Sequence, residues 1–160
     1  MEKIQKYCKN CERIEMVDSD TTCFYGETRV TIDGEESIET QACIHCFNTA
    51  VDLLTTAFEG GSNYWYADLE FLEAESGNPV KYEHNTLDKV LMGDLQAVFT
   101  DFEDQTLVFE LTQQKLYDNL PLFKTFDGGH FFREVVNENW DANTADAFLQ
   151  IVCLGEIVYG

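Results

Sequence analysis

Apolar positions in the first fifty residues are short and alternating, whereas those that follow gather into longer runs with strand or helix period. Over residues 16–41, Thr21, Cys23, Tyr25, Thr28, Val30 and Ile32 make a β-biased stretch. Gly26 and Asp33-Gly34 punctuate it, the second being a dipeptide that tolerates the positive φ angles of a tight hairpin turn, so one or two hairpins are expected. Across residues 46–58, Ala50, Leu53, Leu54, Ala57 and Phe58 recur at helical spacing, and Gly60-Gly61 follows as a stop signal. That is the pattern of an α-helix.

Between residues 63 and 109 the period returns to two. Strands are predicted at Tyr64-Trp65-Tyr66 with residues 69–72, then at 80–82, 97–102 and 107–111, broken by Gly77-Asn78-Pro79 and Gly93-Asp94. A curved antiparallel sheet accommodates them. Thr112 reads as the N-cap of a helix from Gln113 to about Phe123, with Pro121 marking its end. A second helix is expected over residues 131–140. A third starts near Asn143 or Thr144, buries Ala147, Phe148, Ile151 and Val152, and stops at Gly155. The order of small β module, helix, sheet and helices predicts an α+β protein, with a module plus helix over residues 1–60 and a body over 61–160. No repeat, low-complexity segment or Pro- or Ser-rich linker interrupts the chain, so the module is expected to pack on the sheet as part of one compact unit.

At 160 residues, 44% of them hydrophobic and 13% aromatic, the chain can bury a core of its own, which argues against wholesale disorder. Charge changes the picture more. Thirty Asp and Glu face ten Lys and Arg, a net charge of −20, and the excess is spread along the chain, with 10 acids and 5 bases in residues 1–50 and 20 acids and 5 bases in residues 51–160. Nucleic acid and anionic membrane both demand Lys and Arg, so direct binding to either is disfavoured, and a basic protein is the expected partner. No apolar run is long enough to span a bilayer and the first residues (MEKIQKYCKN) lack an apolar leader core, which places the chain in a reducing cytoplasm.

Six cysteines in such a compartment read as metal ligands or buried thiols before they read as disulfides. Cys8-Lys9-Asn10-Cys11 and Cys43-Ile44-His45-Cys46 are two C-x2-C knuckles separated by 31 residues. A two-residue separation lets both sulfurs of one turn face the same ion, and four thiolates suit a tetrahedral Zn(II). The intervening strands and the helix at the second pair resemble a treble-clef or zinc-ribbon module. With all four positions filled by protein, the zinc would be structural. Neither pair sits in a βαβ context, which disfavours thioredoxin-like redox chemistry. His45 would point away from the ion. Cys23 and Cys153, in a strand and a helix, read as buried small hydrophobes, although Cys23 could substitute for one of the four ligands.

Other chemistry is weaker. His84 and His130 have carboxylates nearby in Glu83, Asp127 and Glu134, but in so acidic a chain this proximity arises by chance, and no nucleophile, H-E-x-x-H or phosphate-loop motif accompanies them. The chain is therefore not expected to be an enzyme. Tyr64-Trp65-Tyr66 reads as core packing. The acidic runs containing Asp101, Glu103, Asp104 and Glu110, and Glu134, Glu138, Asp141 and Asp146, are either solvated faces or a surface that presents negative charge as a phosphate backbone does. No D-x-D-x-D-G loop suggests calcium.

Residues 59–66 (EGGSNYWY) and 145–160 (ADAFLQIVCLGEIVYG) resemble blocks of uncharacterised phage and prophage proteins, and the paired N-terminal knuckles resemble a zinc-containing anti-CRISPR protein of the type II-A group. That resemblance implies a small mobile-element protein, working inside an infected bacterial cell, that binds Cas9 and stops it engaging target DNA. It carries over Cys8, Cys11, Cys43 and Cys46 as zinc ligands and no partner contact. The expected function is therefore Cas9 inhibition through an acidic surface, with Asp101, Glu103, Asp104, Glu134, Glu138 and Asp141 as candidate contacts. The alternative is an acidic phage adaptor or regulator that binds another basic host or phage protein.

Overall fold

The computed structural model describes residues 2–22 and 26–160, so the expectation for Cys23 falls outside the described residues. The protein is α+β, and the chain divides into two compact units, Met1–Asn48 and Thr49–Gly160.

The N-terminal unit is a four-stranded sheet of order β2-β1-β4-β3, built from β1 (Lys3–Cys8), β2 (Ile14–Asp18), β3 (Glu27–Ile32) and β4 (Glu35–Thr40), after which α1 (Ile44–Thr56) begins. Asp33 and Gly34 both take positive φ, 51° and 81°, and turn β3 into β4 as the dipeptide predicts. The hairpin β1–β2 was not legible in the apolar pattern, since Ile14 and Met16 on β2 are exposed and Ile4 is the lone apolar residue buried on β1 outside Cys8. Its strands are instead fixed by pairing. β1 runs parallel to β4 with Cys8 opposite Thr40, and this brings the end of β1 to the start of the segment that leads to Cys43.

In the second unit, β5 (Tyr66–Glu73), β6 (Pro79–Val80), β7 (Leu95–Asp101) and β8 (Val108–Leu111) form an antiparallel sheet of order β6-β5-β7-β8. Phe71, Ala97, Phe99 and Leu111 line its inner face. Phe58 meets Tyr66, Phe71 and Phe99 edge-on at 5.7, 6.1 and 5.8 Å, a preferred aromatic geometry. Helix α5 (Ala142–Leu154) packs on α3 (Gln113–Thr125) through Phe123 and Phe148, 4.9 Å apart. Thr112 accepts from the Lys115 N–H and caps α3, while Asp141 and Thr144 form a reciprocal capping box on α5, which stops at Gly155 with φ 81°.

Four expectations are corrected. α3 runs through Pro121 to Thr125, because Leu120 and Phe123 on either side of it are buried and hold the last turn in place. α2 (Thr86–Met92) occupies a stretch read only as strands and turns; seven residues are too few for a helical period to stand out. Helix α4 (His130–Val136) starts one residue early and ends well before Trp140. The strand expected at 80–82 is the two-residue β6.

After α1 the chain makes a π-helical turn, Ala57–Gly61. A Cβ at Gly61 would lie 3.2 Å from the Ala142 carbonyl and 3.3 Å from that of Thr56, so the close approach of this turn to the start of α5 favours glycine. The loop that follows is anchored by one carboxylate. Asp146 accepts hydrogen bonds from Ser62 Oγ (2.6 Å), Tyr64 Oη (2.6 Å), Trp65 Nε1 (2.8 Å) and Gln150 Nε2 (3.1 Å). Gln150, fully buried, accepts from the Val158 and Tyr159 N–H groups at 2.9 and 2.8 Å and donates to the Tyr159 carbonyl at 3.0 Å. Tyr159 then stacks on Trp65 at 4.8 Å and donates its hydroxyl to Asp101. Residues 59–66 and 145–160, far apart in sequence, thus converge on Asp146 and Gln150.

Replacing Asp146 with Ala removes the shared acceptor of four donors, Ser62 and Trp65 among them buried, and is expected to cost the body about 2–3 kcal/mol in urea unfolding, against under about 0.5 kcal/mol for exposed Asp118→Ala. The tyrosines give a second test. Burial, followed by the Asp146 and Asp101 carboxylates respectively, pushes Tyr64 and Tyr159 up to about 12. Raised values favour the protonated phenols in the fold, so their contribution is intact below the unfolded value of 10.0 and is lost as pH rises towards 12. Unfolding free energy should therefore fall across that window, and more shallowly in Tyr159→Phe; equal slopes would contradict the assignment.

Candidate metal centre

Four cysteines converge in the N-terminal unit. Cys8 ends β1, Cys11 lies in the tight turn before β2, Cys43 immediately precedes α1, and Cys46 sits in its first turn. Their Sγ atoms all lie within 4.8 Å of one another. Separations are 3.8 Å for Cys8–Cys46, 3.5 Å for Cys11–Cys43 and 3.8 Å for Cys43–Cys46. None of the four is in a disulfide. An ion bound by four sulfurs at about 2.3 Å in a tetrahedron separates them by about 3.8 Å, so the cage has the size such an ion needs.

Local backbone shapes this cage. Glu12 takes φ 63° just after the first knuckle, and the Glu12 N–H returns to the Cys8 carbonyl at 2.8 Å. The N–H groups of Cys11 and Cys43 point at Cys8 Sγ at 3.5 and 3.3 Å, and Asn10 Nδ2 donates to Cys46 Sγ at 3.3 Å. Donors aimed at sulfur favour thiolate, and outer hydrogen bonds of this kind orient metal ligands. Cys8, Cys43 and Cys46 are buried, with Cys11 and Ala42 packed beside them.

Electrostatics point the same way. Hydrogen bonds from the Cys43 and Cys46 side chains hold the Cys8 thiol far below the usual thiol range. Burial pushes Cys11 up to about 11, and Cys46 is raised by its side-chain bonds to Cys43 and Cys8. Ionisation of one sulfur thus opposes ionisation of its neighbours. A cation in their midst is what allows all four to ionise together.

The other sequence candidates divide. His45 is exposed and outside the sulfur cluster, as expected. Cys153 is buried in α5, donates to the Glu110 carbonyl at 3.3 Å and is pushed up to about 12 by burial, which fits a packing role. Trp65 and Tyr66 are buried in the core, while Tyr64 keeps half its surface exposed. His130 meets Glu134 at 3.4 Å on the surface of α4.

Of the six acidic positions singled out for a partner, Asp101 is buried. Its carboxylate accepts from the Tyr159 hydroxyl and from the Glu103 and Asp104 N–H groups at 2.8 and 2.9 Å, bonds that hold its carboxyl below the usual range. Asp141 caps α5 and Glu134 accepts from Thr144 Oγ1 at 2.5 Å, while Asp104 accepts from Thr106. Glu103 and Glu138 are exposed. The first three carboxylates serve the fold, a role that acidic spacing in sequence does not reveal. The clamp made by Asp146 and Gln150 was likewise missed, Asp146 reading in sequence only as part of an acidic run.

Comparison with protein-family models, with curated proteins and with solved structures returns no match. What the chain can do therefore rests on its own residues. Cys8→Ser and Cys43→Ser are each expected to abolish stoichiometric metal binding and unfold the N-terminal unit, whereas Cys153→Ser keeps its metal. Elemental analysis and melting curves of the purified variants check this, and full metal content in either of the first two would remove the site.

Proposed function

We propose that this protein acts by occupancy, docking an acidic surface on a basic, nucleic-acid-handling protein, and that zinc fixes its N-terminal unit. The observation that carries the reading is the charge of −20, three quarters of it in residues 51–160, where 20 acids meet 5 bases. Such a field steers a basic partner and repels nucleic acid. Resemblance to the type II-A anti-CRISPR group names Cas9 as the first partner to test, with loss of target-DNA loading as the consequence.

Zinc is favoured by four thiolates at tetrahedral spacing, which leave no position for water and give the ion a structural role. The sequence of hairpin turn, second hairpin and helix start is also how a treble-clef module presents two knuckles to one ion. Metal analysis should return one zinc per chain, and cobalt substitution should give the intense absorption of tetrahedral thiolate ligation. Iron in its place would overturn the assignment.

The functional test is target-DNA binding by guide-loaded Cas9 with this protein added before or after the DNA. Loss of binding only on prior addition is expected. No effect in either order, across several orthologues, would reject Cas9 and leave the phage adaptor reading with another basic partner.

A further inference from the structure

The outer face of the body sheet combines apolar and acidic residues in a fixed pattern. Alternation sends Ala97, Phe99 and Leu111 into the core, with no exposed surface, and therefore turns Val98, Thr100 and Glu110 outward. Register sets Glu70, Val98 and Glu110 side by side across β5, β7 and β8, and Ala67, Thr100 and Val108 in the next row. Glu70 and Glu110 are exposed, and Val108 is 63% exposed. At the irregularity between Ala67 and Glu70, Asp68 takes φ 53° and accepts from the Thr100 hydroxyl at 3.2 Å, adding a third carboxylate to this face. Phe102 and Leu107 stand exposed at its end.

Among the described residues none of Asp68, Glu70 and Glu110 is ion-paired. Lys115 reaches the main-chain carbonyl of Glu110 at 3.1 Å, not its carboxylate. Adjacent strands lie about 4.8 Å apart, so the backbones carrying Glu70 and Glu110 are about 9.6 Å apart with Val98 midway. A helix advances about 10.5 Å in seven residues, and residues at i, i+3, i+4 and i+7 share one face.

We propose that this face is the docking surface for a basic amphipathic helix of the partner, whose Lys or Arg residues seven positions apart meet Glu70 and Glu110 while the apolar residue between them rests on Val98. This rests on the reading that the partner is a basic protein. Charge selects the occupant: the carboxylates repel acidic protein, nucleic acid and anionic lipid, and the valines give the stem of a Lys or Arg something to lie on.

The test uses the intact protein and a synthetic helical peptide with lysines seven positions apart flanking leucines, followed by amide chemical-shift mapping. Saturable shifts are expected at residues 67–70, 98–100 and 108–110. The double variant Glu70→Lys/Glu110→Lys should bind at least about tenfold more weakly than Asp118→Lys/Glu156→Lys, which changes net charge equally elsewhere. Equal weakening in both, shifts on another surface, or the same response to a peptide with glutamates in place of lysines would overturn the proposal. Matching melting temperatures exclude unfolding as the cause. Cas9 separates the two readings. Wild-type protein that leaves Cas9 unaffected rejects that partner while the peptide still judges the face, and a face variant that inhibits Cas9 as fully as wild type rejects the face alone.

Discussion

Four sulfur atoms confined within 4.8 Å of one another set the terms for the N-terminal unit. Among its described residues the unit buries few apolar side chains, Ile4 and Ile38 besides the cysteines, so little of its chain entropy is offset from that area. The strands supply hydrogen bonds but no large core, and the faces of β2 and β3 remain mostly exposed. What closes the unit is the parallel pairing of β1 with β4, since it brings two knuckles 31 residues apart to the same end of the sheet. A cation bound there would link β1, the turn after it and α1 in one step.

The body solves the complementary problem. It has aromatic residues in abundance, and a polar clamp selects how they pack. Asp146 is approached by hydroxyl, indole and amide donors and by no cation among the described residues, so its charge is spread over hydrogen bonds and the site stays neutral in its contacts. Gln150, one turn along α5, uses both ends of its amide to hold the last residues of the chain. Trp65 is thereby fixed twice, by its indole N–H and by the Tyr159 ring stacked on it at an angle of 8°. An apolar cluster tolerates several arrangements of similar energy, whereas a satisfied buried network tolerates one.

How much of this could be read in advance follows from range. Features closed within one turn were legible: the Asp33-Gly34 hairpin, the Thr112 cap, the amphipathic stretch of α5 and its stop at Gly155. The knuckle spacing likewise announced the four sulfurs, because chemistry narrows what C-x2-C can mean. Features set by distant partners were not legible. β1 is held by β4, more than thirty residues on, and α3 continues past Pro121 because Phe123 is held by Phe148, 25 residues on. Charge spacing misled in one respect. Asp101 and Asp141 look like a surface field in sequence and are in fact a turn anchor and a helix cap, since Asp is the residue the backbone recruits where N–H groups go unpaired.

That division of the carboxylates bears on recognition. A carboxylate that already accepts two or three hydrogen bonds has little left to give a partner, and removing it damages the fold before it reports on binding. Carboxylates spread over an open sheet face are different. Their strands hold them in register, so their spacing is set by backbone hydrogen bonds and not by flexible loops, and the valine between Glu70 and Glu110 limits water competition where a cation would dock. Net charge then brings any basic surface near, but only one carrying cations at the sheet's own repeat can pair with both carboxylates at once. For a basic partner of the kind proposed, long-range attraction and specificity would therefore reside in different parts of the same acidic body.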